Sequence, residues 1–356
     1  MTSPSHCLAI DIGTGTQDIL LYHAGREAEN NPQLVLPSPS RVWAKRLEGI
    51  AAHLFIHGDT IGGGRIGSVL RRHIGQGYHV AMTEGAARTI RDDLDQVREM
   101  GIEVVEARPA GFAGNEVELR EVDIPFITDI LGAVDEGEGI TCIAIAVQDH
   151  GCAPSGESDR VFRFSCLRQA LESGKGFAGL IYLQGEIPPY YHRMPSAALR
   201  AERESGGATI MVMDTALAAI MGAMGDDGGV QVAVNVGNGH TIMALIIEGE
   251  LQGILEHHTS LLTPQRLRDY IIRFPLGAVG TEEVFADGGH GAFLLRPTDA
   301  STIITVTGPK RGMMKETGLS YALPAPGGNM MMTGPWGLVK AARMKGLVPE
   351  GREEAA

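Results

Sequence analysis

Asp11, Gly13, Thr14, Gly15, Thr16 and Gln17 close an apolar run within the stretch LAIDIGTGTQDILLY, residues 8–22. A tight hairpin of that composition turns consecutive backbone N–H groups toward one point and forms a nest for an anion. The hydroxyls of Thr14 and Thr16 add donors for phosphate oxygens. Asp11, at the end of the strand, is a hard oxygen ligand suited to a hydrated Mg²⁺ opposite those phosphates. A second stretch repeats the layout: AIDIGTGTQDILLY (9–22) and AVNVGNGHTIMALI (233–246) align residue for residue. There Gly237, Asn238, Gly239 and Thr241 offer another nest. Two copies of one hairpin, one in each half, imply an internal duplication. Facing each other across a cleft, they would clamp a polyphosphate from both sides.

Four further groups of residues bear on chemistry. Gly62, Gly63 and Gly64 stand between a strand and a helix in HLFIHGDTIGGGRIGSVLRRH, a natural place for substrate or phosphate at a helix N-terminus. The stretch AVQDHG ends a buried strand with Asp149 beside His150, both able to act as a general base toward a hydroxyl or a water. His257 and His258 are adjacent on a strand and point to opposite faces, so with His290 they read as packed or substrate-facing rather than as one metal site. The Met-rich GGNMMMTGPWG reads as adaptable packing beneath a ligand.

The elements that must position these groups alternate between strand and helix. Strands are expected at 7–12, 17–23, 33–36, 52–57, 78–82 and 102–106, and helices at 40–50, 65–76, 84–100 and 124–135. A strongly apolar strand, ITCIAIAVQDHG, follows. Residues 152–165 read as a surface loop, and EIPPYYHRMPSAALR as a loop leading into a helix. The chain then runs strand and small-residue helix (209–224), then strand, Gly-rich turn, strand, tight turn and strand from 230.

With 356 residues, 44% hydrophobic and 21% charged, the chain has the composition of a globular α/β protein of two domains. Its net charge of −13 argues against a nucleic-acid partner. No apolar stretch is long enough for a bilayer, and Asp11 comes too early for a secretory signal. A cytoplasmic protein without a membrane partner is therefore expected. Cys7 and Cys142 sit in apolar strands and read as buried thiols. Cys152 and Cys166 flank a polar loop, where they could ligate a cluster shared in a homodimer.

These motifs resemble, in order, those of the actin, sugar-kinase and heat-shock-chaperone ATPases. The first hairpin is similar to their phosphate-1 motif, the second to phosphate-2, and STIITVTGPKRG (301–312) to the adenosine motif. MDTALAAIMGAM (213–224) resembles the first connecting helix and GGNMMMTGPWGLVKAA (327–342) the second. The resemblance implies a duplicated ribonuclease-H-like fold, two lobes around a cleft, with ATP and Mg²⁺ between them. Asp11 would then face the metal, and Gly308 would carry the adenosine. The implied lobes are 1–208, with a βαβ unit inserted around 52–106, and 209–350, with a flexible tail at 351–356. Phosphate-2 usually opens with Asp, whereas Asn235 stands here; NVGNG (235–239) is also similar to the HLGNG of acetate and butyrate kinases, where phosphoryl transfer proceeds without that Asp.

The implied activity is γ-phosphoryl transfer to a small molecule, or ATP hydrolysis. The alternatives are a regulatory or reactivating ATPase acting on a protein partner, and a nucleotide sensor without turnover. The stretches GDTIGGG, DDLDQVREMGI, VQDHG and DGGHGA also resemble a family described as pyruvate formate-lyase activating enzymes. A radical-SAM activase needs a closely spaced trio of cysteines for its cluster, and this sequence has none.

Overall fold

The computed structural model describes residues 6–154, 156–225 and 228–349; the tail expected at 351–356 lies outside them. Its first strands are β1 (His6–Ile12), β2 (Thr16–His23) and β3 (Gln33–Pro37). β1 is apolar at consecutive positions because both its faces are covered. Cys7 and Ala9 enter one core, while Leu8, Ile10 and Ile12 enter another on the opposite face. The chain continues through α1 (Pro39–Glu48), β4 (Leu54–Gly58), α2 (Ile66–Gly75), β5 (Val80–Thr83), α3 (Glu84–Ala87), α4 (Leu94–Glu99), β6 (Glu103–Val105) and β7 (Asn115–Leu119). Next come α5 (Ile124–Gly132), β8 (Ile140–Val147), α6 (Asp159–Ala170), β9 (Ile181–Leu183), α7 (Arg193–Glu204), β10 (Thr209–Met213) and α8 (Thr215–Ala223). The last part holds β11 (Val230–Val236), β12 (His240–Ile247), β13 (Glu250–His258), α9 (Pro264–Arg273), α10 (Thr281–Ala286), β14 (Gly291–Leu294), β15 (Ile303–Thr307) and α11 (Thr333–Met344).

Three sheets result. The first has the order β3-β2-β1-β8-β10-β9, and the second β14-β13-β12-β11-β15. In both, a three-strand antiparallel meander is extended by a parallel strand beside its first member: β1 pairs with β8, and β11 with β15. That shared meander-plus-parallel order is the duplicated ribonuclease-H-like fold that the resemblance implies, with the duplication the paired hairpins point to. The third sheet, β6-β5-β4-β7, is wholly parallel and has its own core around Leu54, Ile56, Leu70 and Met82.

The two larger sheets are joined through α8 and α11, whose small residues let their backbones nearly touch. A Cβ on Gly222 would lie 1.7 Å from the Thr333 carbonyl oxygen, and one on Gly337 1.8 Å from that of Ala218. Only glycine fits at either place. The core on this side takes side chains from both sheets, Ala9 and Ala144 from one and Ala233 and Ile242 from the other.

Three expectations need correction. The helix expected over 84–100 is broken, because Thr89 Oγ1 accepts from the Ile61 N–H at 3.0 Å and Asp93 caps a fresh helix through the Asp95 N–H. The loop expected to run to 165 becomes helical from Asp159, where Phe164 and Leu167 bury and Arg163 is drawn into an internal ion pair. The strand at 209–213, expected to open the C-terminal lobe, pairs in parallel with β8 in the first sheet. Among the described residues no helix is long and apolar enough to cross a membrane.

Candidate functional site

Asp11 is the penultimate residue of β1, and Asn235 that of β11. The turns beyond them close alike: the Gly13 N–H donates to the Thr16 carbonyl at 2.9 Å, and the Gly237 N–H to the His240 carbonyl at 2.9 Å. Both turns line one cleft of about 530 Å³, to which Asp11, Gly13, Thr14, Gly15, Thr16, Gly237, Asn238 and Gly239 all contribute. Their tips meet. A Cβ on Gly15 would lie 2.9 Å from Asn238 Nδ2, and one on Gly239 3.8 Å from Thr14 Oγ1. Gly308, at φ +97°, also lines the cleft, and a side chain there would strike the Val236 carbonyl and Asn235 Oδ1. Met330 and Met331 form part of the wall.

Two expected binders fall outside the cleft wall. Thr241 is fully buried, its hydroxyl 3.0 Å from that of Thr259, because on β12 it shares the face of the buried Met243 and Leu245. Gln17 donates instead to the Pro37 carbonyl at 3.3 Å, tying β2 to β3.

Asp11 sits where the first turns of α8 and α11 converge. Thr215 Oγ1 donates to Asp11 Oδ1 at 2.5 Å, and a Cβ on Gly334 would lie 1.9 Å from Oδ2. Its cross-strand partner on β2 is Asp18, which the sequence reading left without a role. Burial, then the charge of Asp18, raise the Asp11 pKa to about 8; burial raises Asp18 to about 7. Asp18 Oδ1 is buried without a hydrogen-bond partner. Two buried, neighbouring carboxylates with an orphaned oxygen suit a hard divalent cation, which would satisfy both charges.

The third sheet closes another side of the cleft. Gly62, Gly63 and Gly64 line it, together with Arg88, Arg91 and Asp92 from the segment that breaks the expected helix. Gly62 is not a free donor, since its N–H goes to Glu121 Oε2 at 3.0 Å, and Glu121 is itself held by Arg193. Arg88 is paired with Glu84 at 2.6 Å, so Arg91 brings the greater part of the positive charge on this wall; neither stands in a recognisable sequence motif.

Asp149 lines the cleft, but both its oxygens are occupied. Oδ1 accepts from the Gly151 N–H, and Oδ2 from those of His192, Arg193 and Met194, all within 3.0 Å. Burial pushes its pKa up, while the Met194 and Gly151 N–H groups pull it down. Asp149 thus anchors the start of α7, and the expected role of general base lacks a free oxygen.

His150 is different. It lines the cleft beside His240, with ring centroids 5.8 Å apart, and its ring is 5.6 Å from that of His290. Burial, then Arg163, lower the His150 pKa to about 4, and burial lowers that of His290 to about 3. Behind them Glu256 is fully buried; burial raises its pKa, but Arg163 and the surrounding histidines outweigh this and hold it to about 2. Gln148 Nε2 lies 3.2 Å from His240 Nδ1 and donates to Glu256 Oε1 at 3.2 Å. His257 turns away, its Nε2 3.3 Å from Asp287, as strand alternation requires.

Several solved structures are similar to this one. Ethanolamine utilization protein EutJ from Carboxydothermus hydrogenoformans is 12% identical, with a TM-score of 0.34, over 94% of this chain and 89% of that one. The activator of 2-hydroxyisocaproyl-CoA dehydratase from Clostridium difficile, solved with ADPNP, is 8% identical with a TM-score of 0.32, over 98% of this chain and 100% of that one. A sugar-kinase-like protein from Cytophaga hutchinsonii is 10% identical with a TM-score of 0.34, over 94% and 100%. No curated protein matches the sequence. One family model matches residues 61–313, well over half of the chain, and the protein belongs to that family, described as "Putative pyruvate format-lyase activating enzyme (DUF1786)".

Proposed function

We propose that the cleft binds ATP with Mg²⁺ and that the protein transfers the γ-phosphoryl group to a small molecule, or hydrolyses it. The observation that carries this reading is the pair of identically closed turns meeting tip to tip beside two buried, uncompensated carboxylates. Their backbone N–H groups would hold the phosphates from both sides. Asp11 and Asp18 would hold the Mg²⁺, which supplies charge neutralisation as the phosphoryl group moves. Gly308, Met330 and Met331 would pack against the adenosine. The segments 1–208 and 209–350 would form the bulk of the two jaws, with the strand at 209–213 joining the first sheet and the helix α11 packed against it.

A small acceptor is favoured by the cleft wall from the third sheet, where Arg88 and Arg91 could hold an anionic group near the Gly62–Gly64 loop. His150 would meet that acceptor from the opposite wall. A second reading, a regulatory ATPase acting on a protein partner, is favoured by Asn235, which brings no formal charge to the second turn. The family description names an activase; the cysteine spacing gives no support to a radical-SAM cluster.

The test is a fluorescent ATP analogue titrated with and without Mg²⁺, followed by ADP formation from ATP in the presence of candidate acceptors, with release of inorganic phosphate measured alongside to separate transfer from hydrolysis. Tight Mg²⁺-dependent binding, with turnover that needs one acceptor, supports a kinase. Slow turnover hastened by a protein from the same cells supports the regulatory reading. An analogue that does not bind would remove both.

A further inference from the structure

His150 follows β8 of the first sheet, His240 opens β12 of the second, and His290 immediately precedes β14. One ligand nitrogen from each lies within 4.8 Å of the others, a set of three that far separated in sequence. His290 is 2% exposed, and neither of its ring nitrogens has a hydrogen-bond partner. An imidazole shut away from water with both nitrogens idle is costly unless something else binds it. Its Nδ1 looks toward Glu256 Oε1 at 3.8 Å, leaving Nε2 toward the other two rings. His258 completes the surround, its ring 4.7 Å from that of His290 and 4.8 Å from that of His240.

We propose that His150, His240 and His290 bind a divalent transition-metal ion at the edge of the cleft. Three imidazoles are the donor set for Zn²⁺, Fe²⁺, Co²⁺ or Ni²⁺ rather than Mg²⁺. Three protein ligands leave a coordination position for water or a substrate group. A tetrahedral ion with metal–nitrogen bonds of about 2.1 Å sets its ligands roughly 3.4 Å apart, so the rings close in by side-chain rotation. Glu256, held by Arg163 and Gln148, supplies the carboxylate that orients metal-bound histidines from behind. Because His150 belongs to one large sheet and the other two ligands to the second, the ion would tie the two together across the cleft mouth. This ion is distinct from Mg²⁺ at Asp11 and Asp18, and its binding needs no nucleotide.

The test uses the full chain, stripped with a chelator and titrated with Co²⁺ and then Zn²⁺, without nucleotide or Mg²⁺. The readouts are calorimetry and the visible absorption of bound Co²⁺. One equivalent should bind, with the intense bands of low-coordinate cobalt, and Zn²⁺ should displace it. His240→Ala and His150→Ala, on the half-buried cleft wall, should each weaken binding about 100-fold or more, beyond what loss of a supporting partner costs. His290→Ala should do the same where its melting shows a folded chain, while His79→Ala, at an exposed histidine just before β5, should bind as the parent does. The proposal is overturned if no stoichiometric ion binds, if the cleft variants bind normally, or if binding is lost only when Asp11 and Asp18 are neutralised.

Discussion

The two hairpins share a turn but not a charge. Each closes with a Gly N–H bonded to the carbonyl three residues on, and each ends a strand flanked by a parallel neighbour. In the first, Asp11 faces Asp18 across the ladder; in the second, Asn235 faces Ile242. The backbone turns are therefore matched, while the buried carboxylates reside on one side alone. Duplication explains the match, and the difference means that, on the proposed reading, the first half would hold the cation while both halves hold the phosphates.

The comparison breaks most sharply at Asp11. Asp11→Ala is expected to lower Mg²⁺-dependent ATP turnover by about 100-fold or more, on the scale of losing a main electrostatic group in a closed site. A variant at parental rate would remove the metal assignment. Next in size is the joint between the halves: Gly222→Ala forces a methyl into the Thr333 carbonyl and should cost about 3 kcal/mol, read as a lowered midpoint in denaturant. An unchanged midpoint would mean that α8 and α11 separate freely.

The paired carboxylates predict a pH dependence with a definite sign. Asp11 at about 8 and Asp18 at about 7 keep protons in the folded chain that unfolded carboxyls release near pH 4. The native state thus binds more protons, and its stability without cation falls as pH rises from about 4 through about 8. Mg²⁺ needs the ionised pair, so its stabilising effect should grow between about pH 6 and pH 8. Melting curves at several pH values check this, and Asp18→Asn should flatten the trend. The smallest effect is expected from Asn235→Asp, which makes the second hairpin resemble the first; a several-fold change in Mg²⁺ dependence would show that the missing charge matters.

The hairpins were legible because strand, glycine turn and strand leave a local pattern that recurs once in each half. Ring contacts among His150, His240 and His290 were not, since they join positions up to 140 residues apart and only the packed sheets bring them together. Asp18 stood in plain view as a carboxylate within an apolar strand, and its burial was the readable signal. The segment around Arg88 was misread because an amphipathic period ran through it; Asp93, a capping residue, marked the restart. Asp149 shows the opposite failure. Residue type suggested a base, but only the fold reveals that four backbone N–H groups consume its oxygens.

The most direct test is a crystal structure with Mg²⁺ and a non-hydrolysable ATP analogue. The phosphates should lie between Gly13–Thr16 and Gly237–Gly239, with the ion beside Asp11 and Asp18. A nucleotide bound elsewhere, or a cleft that stays empty at saturating analogue, would contradict the account.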